Sequence, residues 1–369
     1  MNQPNLRFSI RRGHGQPAFQ QVCDNIRLNI TTGALKAGNK LLSTRLLAEE
    51  LGISRTTVVN AYEQLVAEGY IVSRKGSGFI VCDVGETIHQ PVPSKSESIE
   101  NIQDKPCAPG SPDSRMFPHR QWSRHLGRVA RSNPQAMVDS KHVFGDIELR
   151  SAVAGYLLDW RGVEVSPRKI VITAGSQDGI ELCLRAINRG NESIGLEDPG
   201  YLPLRNIART HHNKTRWLRI DNHGICIPIS KIDEQPPAIA VLTPSYQYPL
   251  GGVMPIGRRR EFLYWASENK SWIIEDDYDS EFRYAGSPIP ALSSLDNMQR
   301  TLYIGSFSKI FSSGLRLGFI AIPKSQITDF EDTLRSFGNR ASLIPQRALA
   351  TFIQEGEFYR HLRRVRRIY

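Results

Sequence analysis

Trp272-Ile273-Ile274-Glu275-Asp276-Asp277-Tyr278 and Thr301-Leu302-Tyr303-Ile304-Gly305-Ser306-Phe307-Ser308-Lys309 decide how this chain is read. In each, a short β-rich run gives way at once to polar or charged residues. Short apolar runs bounded in this way are the pattern of strands buried on both faces. Outward from these two, the runs at 169–173, 192–196, 215–218, 238–242 and 317–322 have the same character. Helical patterns such as 180–187 and 258–268 fall between several of them. The rhythm predicts an α/β unit whose largely parallel sheet is covered by helices.

In open α/β sheets, ligands bind outside the C-terminal ends of the strands. The unusual residues of this chain stand at those ends. Ala174-Gly175-Ser176-Gln177 opens a helix past 169–173, and Glu197-Asp198-Pro199-Gly200-Tyr201 follows 192–196. Pro244-Ser245-Tyr246-Gln247-Tyr248-Pro249 follows 238–242, Asp276-Asp277-Tyr278 follows 272–275, and Ser306-Phe307-Ser308-Lys309 follows 301–305.

The residue types suggest a chemistry. A lysine held in a loop of small residues forms a Schiff base with an aldehyde, and Lys309 is placed for that. An aspartate facing a pyridine nitrogen keeps it protonated and makes the ring an electron sink. Asp276 and Tyr278 are two apart, so an extended backbone puts both on one side and Asp277 on the other. Tyr278 then meets a ring oxygen. Gly175, Ser176 and Gln177 at a helix N-terminus receive a phosphate. Ser306, Ser308 and Arg316 complete that cradle, and Tyr201 stacks on the ring. Taken singly, each has a plainer reading: a solvated lysine, an Asp-Asp turn, a surface ion pair at Arg316, a core tyrosine at Tyr201. Their joint placement on successive strand ends is what points to a cofactor.

The chain ahead of this unit is different. Phe19, Val22, Ile26 and Ile30 recur at helical spacing, with Gly33 as a stop. Leu46, Leu47 and Leu51 mark a second helix ending at Gly52, and Ser54 caps a third with Val58, Ala61, Tyr62 and Leu65 on one face. Tyr70-Ile71-Val72-Ser73 and Phe79-Ile80-Val81 flank Arg74-Lys75-Gly76-Ser77-Gly78, a hairpin with a basic, glycine-rich tip. Three helices and a hairpin outline a winged helix-turn-helix. Arg55, Thr56 and Thr57 open the third helix, where a recognition helix meets base edges or phosphates, and Asn60 joins them if the helix's rotation allows. Ser43, Thr44 and Arg45 open the second helix against the phosphate backbone. Arg74 and Lys75 reach the minor groove or the backbone. The plain alternative is a small helical domain that binds protein, or whose basic groups are merely solvated.

The expected divisions are a DNA-binding domain at 1–83, a polar, proline-punctuated linker at 84–106, and an α/β domain at 107–369. The 369 residues suit two or three domains, and 40% hydrophobic with 23% charged residues suits substantial cores. No apolar run approaches the roughly 18 residues that span a bilayer, and no secretory pattern opens the chain, so the sequence reads as a cytoplasmic protein without a membrane partner. Five cysteines, at 23, 82, 107, 183 and 226, are odd in number and scattered. That argues against a disulfide framework and against a metal site. Lys and Arg number 47 against 37 acids, a net +10 compatible with a polyanionic partner. Part of the excess is local: residues 360–369 hold five arginines and no acid.

Leu46-Ala48-Glu49-Leu51-Gly52-Ile53-Ser54-Arg55-Thr57-Val58, Ala61-Tyr62-Leu65 and Glu68-Gly69-Tyr70-Ile71 resemble the GntR type of bacterial regulator. Leu42 stands where that type usually has proline. The back of the chain resembles the fold-type I pyridoxal-phosphate aminotransferases, and the whole resembles the MocR/GabR branch of GntR regulators. The matching stretches are Gly110-x-x-Asp113 with Phe117-Pro118 and Trp122, Leu149-Arg150 with Ala154-x-Tyr156-Leu157, Glu197–Tyr201, Glu275–Tyr284, and Gly305–Lys309 with Leu315–Gly318. The resemblance implies pyridoxal 5'-phosphate as cofactor, with Lys309 as its aldimine lysine, Asp276 as partner of the ring nitrogen and Tyr278 as partner of the ring oxygen. Arg316 and Ser308 would hold its phosphate. It also implies a homodimer.

Tyr246 stands where the family commonly has histidine. The resemblance further implies a C-terminal subdomain that is incomplete at Tyr369, and it is the missing part that in the family usually carries the arginine gripping an amino acid's carboxylate. The leading expectation is a transcriptional regulator that binds operator DNA and senses pyridoxal phosphate, an amino acid or an amine. The alternatives are an aminotransferase with an appended DNA-binding domain, and a DNA-binding domain with an inert remainder.

Overall fold

The computed structural model describes residues 10, 15–74, 76, 78–84, 112–139, 142–187, 192–211, 214–228, 235–284 and 289–369. The chain divides into two compact units, Met1–Gln103 and Asp104–Tyr369.

The front unit comprises α1 (Ala18–Thr31), α2 (Thr44–Leu51), α3 (Arg55–Ala67), β1 (Ile71–Arg74) and β2 (Gly78–Val81). Val22, Ile26, Leu47, Val58, Tyr62, Leu65, Ile71 and Val81 form its core. Ser43 Oγ accepts the Leu46 N–H to start α2, and Gly52 ends it at φ 62°, a backbone state that favours glycine. Two residues later, Ser54 Oγ accepts the Thr57 N–H to start α3. This short turn fixes the crossing of the two helices. Tyr62 Oη, within the core, donates to the Leu42 carbonyl at 3.0 Å and ties α3 to the approach of α2. β1 and β2 pair antiparallel, Ile71 opposite Val81 and Arg74 opposite Gly78, giving the expected wing.

The back unit contains α4 (His119–Ser132), α5 (Gln135–Val138), α6 (Ile147–Arg161), β3 (Ile170–Thr173), α7 (Ser176–Ile187), β4 (Ile194–Asp198), α8 (Leu202–Thr210), β5 (Thr215–Asp221), β6 (Gly224–Ile225) and β7 (Ile239–Leu242). It continues through α9 (Ile256–Glu268), β8 (Trp272–Asp277), α10 (Leu292–Leu295), β9 (Thr301–Ser306), β10 (Gly318–Ala321), α11 (Ile327–Phe337), α12 (Ile344–Gln354) and α13 (Glu357–Ile368). One eight-stranded sheet runs β3-β10-β9-β8-β7-β4-β5-β6.

The strands β9, β8, β7, β4 and β5 are parallel, as expected. β10 departs from that pattern: it lies between β3 and β9 and is antiparallel to both. A strand buried on both faces reads as a plain apolar run whichever way it points, so the sequence carried no sign of its direction. The two-residue β6, antiparallel to β5, was equally hidden. Aromatic residues from α4, α6, α12 and α13 pack one face, while α7, α8 and α11 cover the other.

Gly305, near the end of β9, shows how tightly the first face is filled. A Cβ there would lie 2.3 Å from Cζ of Phe319. That ring is held by Tyr303, Phe307 and Tyr156 around it and has nowhere to turn. Gly305→Ala is therefore expected to destabilise the back unit by about 1–3 kcal/mol. A lowered urea midpoint checks this, and an unchanged midpoint would contradict the packing described.

Candidate functional site

The C-terminal ends of β3, β4, β7, β8 and β9 surround a cavity of about 340 Å³. Gly175, Ser176 and Gln177 line it where α7 begins, and Tyr201 where α8 begins. Asp276, near the end of β8, and Tyr278 just beyond it line the next side. Ser306, Ser308 and Lys309 come from the end of β9, and Arg316 from the turn before β10. All ten residues expected at a cofactor thus lie around one space. Ala174, Thr243 and Tyr248 line it too. Thr243 had no signal in the sequence; Tyr248 lay in a strand-end stretch but had no assigned role.

The acids of β8 separate by face. Glu275 accepts the Leu292 and Ser293 N–H groups and the Ser293 hydroxyl, each at 3.0 Å, and so seats α10. Asp277 pairs with Arg161 at 2.7 Å and accepts from Tyr303. Between them, Asp276 faces the cavity, and its buried Oδ1 has no hydrogen-bond partner. Burial pushes its carboxyl up to about 7; Asp277 and Glu197 add to the rise, and Lys309 opposes it. Burial also lowers the Lys309 amine, with Asp279 and Asp276 pulling the other way. Lys309 Nζ sits 4.1 Å from the centroid of the Tyr278 ring. Desolvation raises the Tyr278 hydroxyl.

Aromatic groups continue around the rim. Tyr201 and Tyr248 meet edge to face at 5.6 Å, as do Tyr248 and Tyr278 at 6.3 Å. Gln177 Nε2 donates to Tyr201 Oη at 2.7 Å and joins the first strand end to the second. Below them, Glu197 is buried and accepts from the Thr243 N–H, the Thr243 hydroxyl and Gln247 Nε2. Gln247 also donates to the Pro199 carbonyl, so one amide braces two of the cavity's loops. Tyr246, next to it, points to a neighbouring space beside Trp160 and leaves this bracing intact.

The phosphate-type features are local. Gly175 has φ 99° and open space where a side chain would start. The first N–H groups of α7 have no carbonyl one turn back to bond. Ser308 N–H donates to Ser306 Oγ at 3.1 Å. Arg316 adopts φ 45° and ψ 52°, a left-handed state costing a non-glycine residue about 1 kcal/mol or more.

In the front unit, Ser43, Arg45, Arg55, Thr56, Asn60 and Arg74 are exposed, while Thr44 and Thr57 are half-buried. Arg45 is paired with Glu49 along α2. Thr57 Oγ1 shares a 2.8 Å hydrogen bond with the capping Ser54. Arg55 and Arg74 have no ion pair among the described residues. Lys75 lies outside the described residues.

The description "Bacterial regulatory proteins, gntR family" matches residues 18–81, and "Aminotransferase class I and II" matches residues 111–368. A transcriptional regulator of the helix-turn-helix type from Bacillus subtilis, YdeL, is 38% identical over 96% of this chain and 77% of its own. The probable rhizopine catabolism regulatory protein MocR of Rhizobium meliloti is 35% identical, over 96% and 75%. The chain belongs to the MocR-type regulators of the gntR family. The pyridoxine biosynthesis transcriptional regulator PdxR of Corynebacterium glutamicum is 33% identical over 95% of this chain and 76% of its own. Among solved structures, the kynurenine aminotransferase of Pyrococcus horikoshii is similar at a TM-score of 0.65 and 25% identity, over 71% of this chain and 66% of that one. LysN, the α-aminoadipate aminotransferase of Thermus thermophilus, gives 0.62 and 25%, over 71% and 67%. The regulator is thus a gntR-type helix-turn-helix unit joined to an aminotransferase-like unit. No helix among its described residues is long and apolar enough to cross a membrane.

The raised Asp276 carboxyl makes the ligand-free MocR-type regulator sensitive to pH. Between its ordinary value of 3.8 and about 7, the folded chain holds a proton that the unfolded chain has released. Stability therefore falls as pH rises through that window, by at most about 1.4 kcal/mol per unit for one proton. Asp276→Asn removes this contribution. Urea titrations are expected to show the variant gaining on the wild type between pH 5 and pH 8, and parallel pH profiles would refute the assignment.

Proposed function

We propose that this regulator holds pyridoxal 5'-phosphate in the strand-end cavity, senses an amine or amino acid there, and binds an operator in double-stranded DNA through its front unit as a cytoplasmic homodimer. The observation that carries the cofactor reading is Asp276 Oδ1, buried without a partner in the same cavity as Lys309. A protonated ring nitrogen would supply that partner, and Asp276 would hold it as the charged carboxylate. Tyr278 would bond the ring oxygen, and Tyr201 would cover a ring face. Ser176 and Gln177 at the start of α7, with Ser306, Ser308 and Arg316, would hold the phosphate dianion; bare Gly175 leaves room for it.

Bound there, pyridoxal phosphate supplies an electrophilic carbon for amines and a ring that withdraws electrons from them. Lys309 carries the nucleophile. Its amine is lowered by burial, so a larger share is in the neutral form that attacks an aldehyde or takes a proton. Asp276 would hold the positive charge of the ring nitrogen. Tyr201, Tyr248 and Tyr278 exclude water from the rim.

In the front unit, α3 enters the major groove, and Arg55, Thr56, Thr57 and Asn60 meet bases or nearby phosphates. Ser43, Thr44 and Arg45 at the start of α2 grip the backbone. An effector that binds the cavity of one conformation more tightly shifts the regulator toward it. The lowered Lys309 amine also favours a second reading, an aminotransferase with an appended DNA-binding unit. Single-turnover conversion of an added amino acid to its keto acid, lost in Lys309→Ala, distinguishes that reading.

Two measurements test the proposal. Adding pyridoxal 5'-phosphate is expected to give a visible absorption band in the wild type and none in Lys309→Ala. In gel shifts with the promoter beside its own gene, Arg55→Ala is expected to lose about tenfold or more in affinity, the worth of one good base or phosphate contact. Equal binding of that promoter and random DNA at moderate salt would refute operator reading.

A further inference from the structure

The sequence His361-Leu362-Arg363-Arg364-Val365-Arg366-Arg367-Ile368-Tyr369 reads as a basic amphipathic helix, and its polar groups do more than face solvent. Phe358 and Leu362 bury one side of α13 in the aromatic core, and Val365 is buried further along the same helix. His361 is also buried, at 6% exposure, and its Nε2 meets the Ile310 carbonyl at 2.9 Å. A carbonyl accepts only, so the ring carries its proton on Nε2. The edge of His361 also meets the Phe311 ring at 5.6 Å. Ile310 directly follows Lys309, and the bond therefore fixes the peptide beside the lysine.

Five residues on, about 140° around the helix, Arg366 reaches a second segment. It donates to the carbonyls of Glu281 and Arg283, the latter at 2.8 Å. These residues leave β8 just beyond Asp276 and Tyr278. The guanidinium lies 5.8 Å from the Trp160 ring centroid and 5.7 Å from that of Tyr284. Just past α13, Tyr369 Oη accepts the Asp113 N–H at 2.8 Å, which ties the segment ahead of α4 to it.

We propose that α13 is a clamp on the cofactor cavity, and that His361 and Arg366 are positioning residues for Lys309 and for the Asp276–Tyr278 strand end. The apolar side of α13 already anchors the helix. The two polar contacts add to the turns that the two segments make on their own, closed at the Phe307 carbonyl and at the Asp279 carbonyl. Without His361, the Ile310 carbonyl loses its donor, and the peptide after Lys309 is held only by its own turn and by the packing of Phe307, Ile310 and Phe311. Without Arg366, the chain leaving β8 loses the group that joins two of its carbonyls. The inference rests on the cavity being a pyridoxal phosphate site.

The test compares wild type, His361→Leu, His361→Gln, Arg366→Met and Arg366→Lys. Each is titrated with pyridoxal 5'-phosphate and followed by visible absorption and visible circular dichroism, with urea unfolding in parallel. Gln places an amide donor near the reach of Nε2, whereas Leu keeps the bulk without the donor. His361→Leu is expected to bind cofactor about tenfold or more weakly, the effect of a small misplacement, and to show weaker dichroism per bound cofactor. His361→Gln is expected to restore most of both. Arg366→Met, at the more exposed end of the helix, is expected to weaken binding without unfolding the unit.

Cofactor binding and dichroism unchanged from wild type in folded His361→Leu and Arg366→Met would overturn the inference. So would a loss in His361→Leu that His361→Gln does not restore. A wild type that takes up no cofactor would instead overturn the reading of the cavity itself.

Discussion

Strand β8 buries three consecutive carboxylates, Glu275, Asp276 and Asp277, none more than 5% exposed. Removing a charge from water is tolerated only where it finds partners, and three in a row on one strand leave few ways to arrange them. Alternation of the pleat divides the work. Glu275 turns toward the start of α10, where backbone N–H groups and a serine hydroxyl receive it. Asp277 turns toward Arg161 at the end of α6 and Tyr303 on β9. These contacts seat the strand between its neighbours and fix the direction of the third carboxylate. Asp276 is left facing the cavity with an unmet oxygen.

The cavity therefore carries two unfavourable features. An unpaired buried acceptor costs about 1–3 kcal/mol, and Arg316 holds a backbone state that its side chain disfavours. Both persist because the surroundings over-determine them. Tyr303, Phe307 and Phe319 lock the end of β9, and Gln247 with Glu197 braces the loops after β4 and β7. A cationic ring nitrogen would meet the first, while the second is the backbone state in which Arg316 lines the cavity.

Much of this was readable beforehand because short-range rules governed it. Ser43 and Ser54 cap helices by local chemistry, and Gly52 ends α2 by its left-handed backbone, so the front unit could be outlined residue by residue. Asp276 and Tyr278 share a side because the strand period is two. Lys309 and Gly175 could be placed because ligands gather at strand ends. What escaped depends on pairings far apart in the chain. Arg161 meets Asp277 across more than a hundred residues, and nothing in the local pattern of α6 announces it. β10 runs antiparallel without any mark in its apolar run. Thr243 looks like any residue after a strand until Glu197 is seen beneath it. The C-terminal helix was legible as amphipathic and basic, but its carbonyl targets at Ile310, Glu281 and Arg283 belong to tertiary structure alone.

Those targets bear on how a sensor differs from a catalyst built on the same scaffold. A ligand moves a conformational equilibrium only by its difference in affinity for the two states. Shifting a population from about one in a hundred to ninety-nine in a hundred takes about 5.5 kcal/mol of such difference. Lys309 and the pair Asp276 and Tyr278, the groups proposed to act on a ligand's amine and ring, lie on two segments, the loop after β9 and the end of β8. If each moved independently, the contact energy of a ligand would be spent on local adjustment. Because His361 and Arg366 stand on one rigid helix, a displacement of either segment must move α13 or break a bond to it. Coupling the two segments through one helix converts small, separate adjustments into a single alternative, and a single alternative is what a regulatory equilibrium requires.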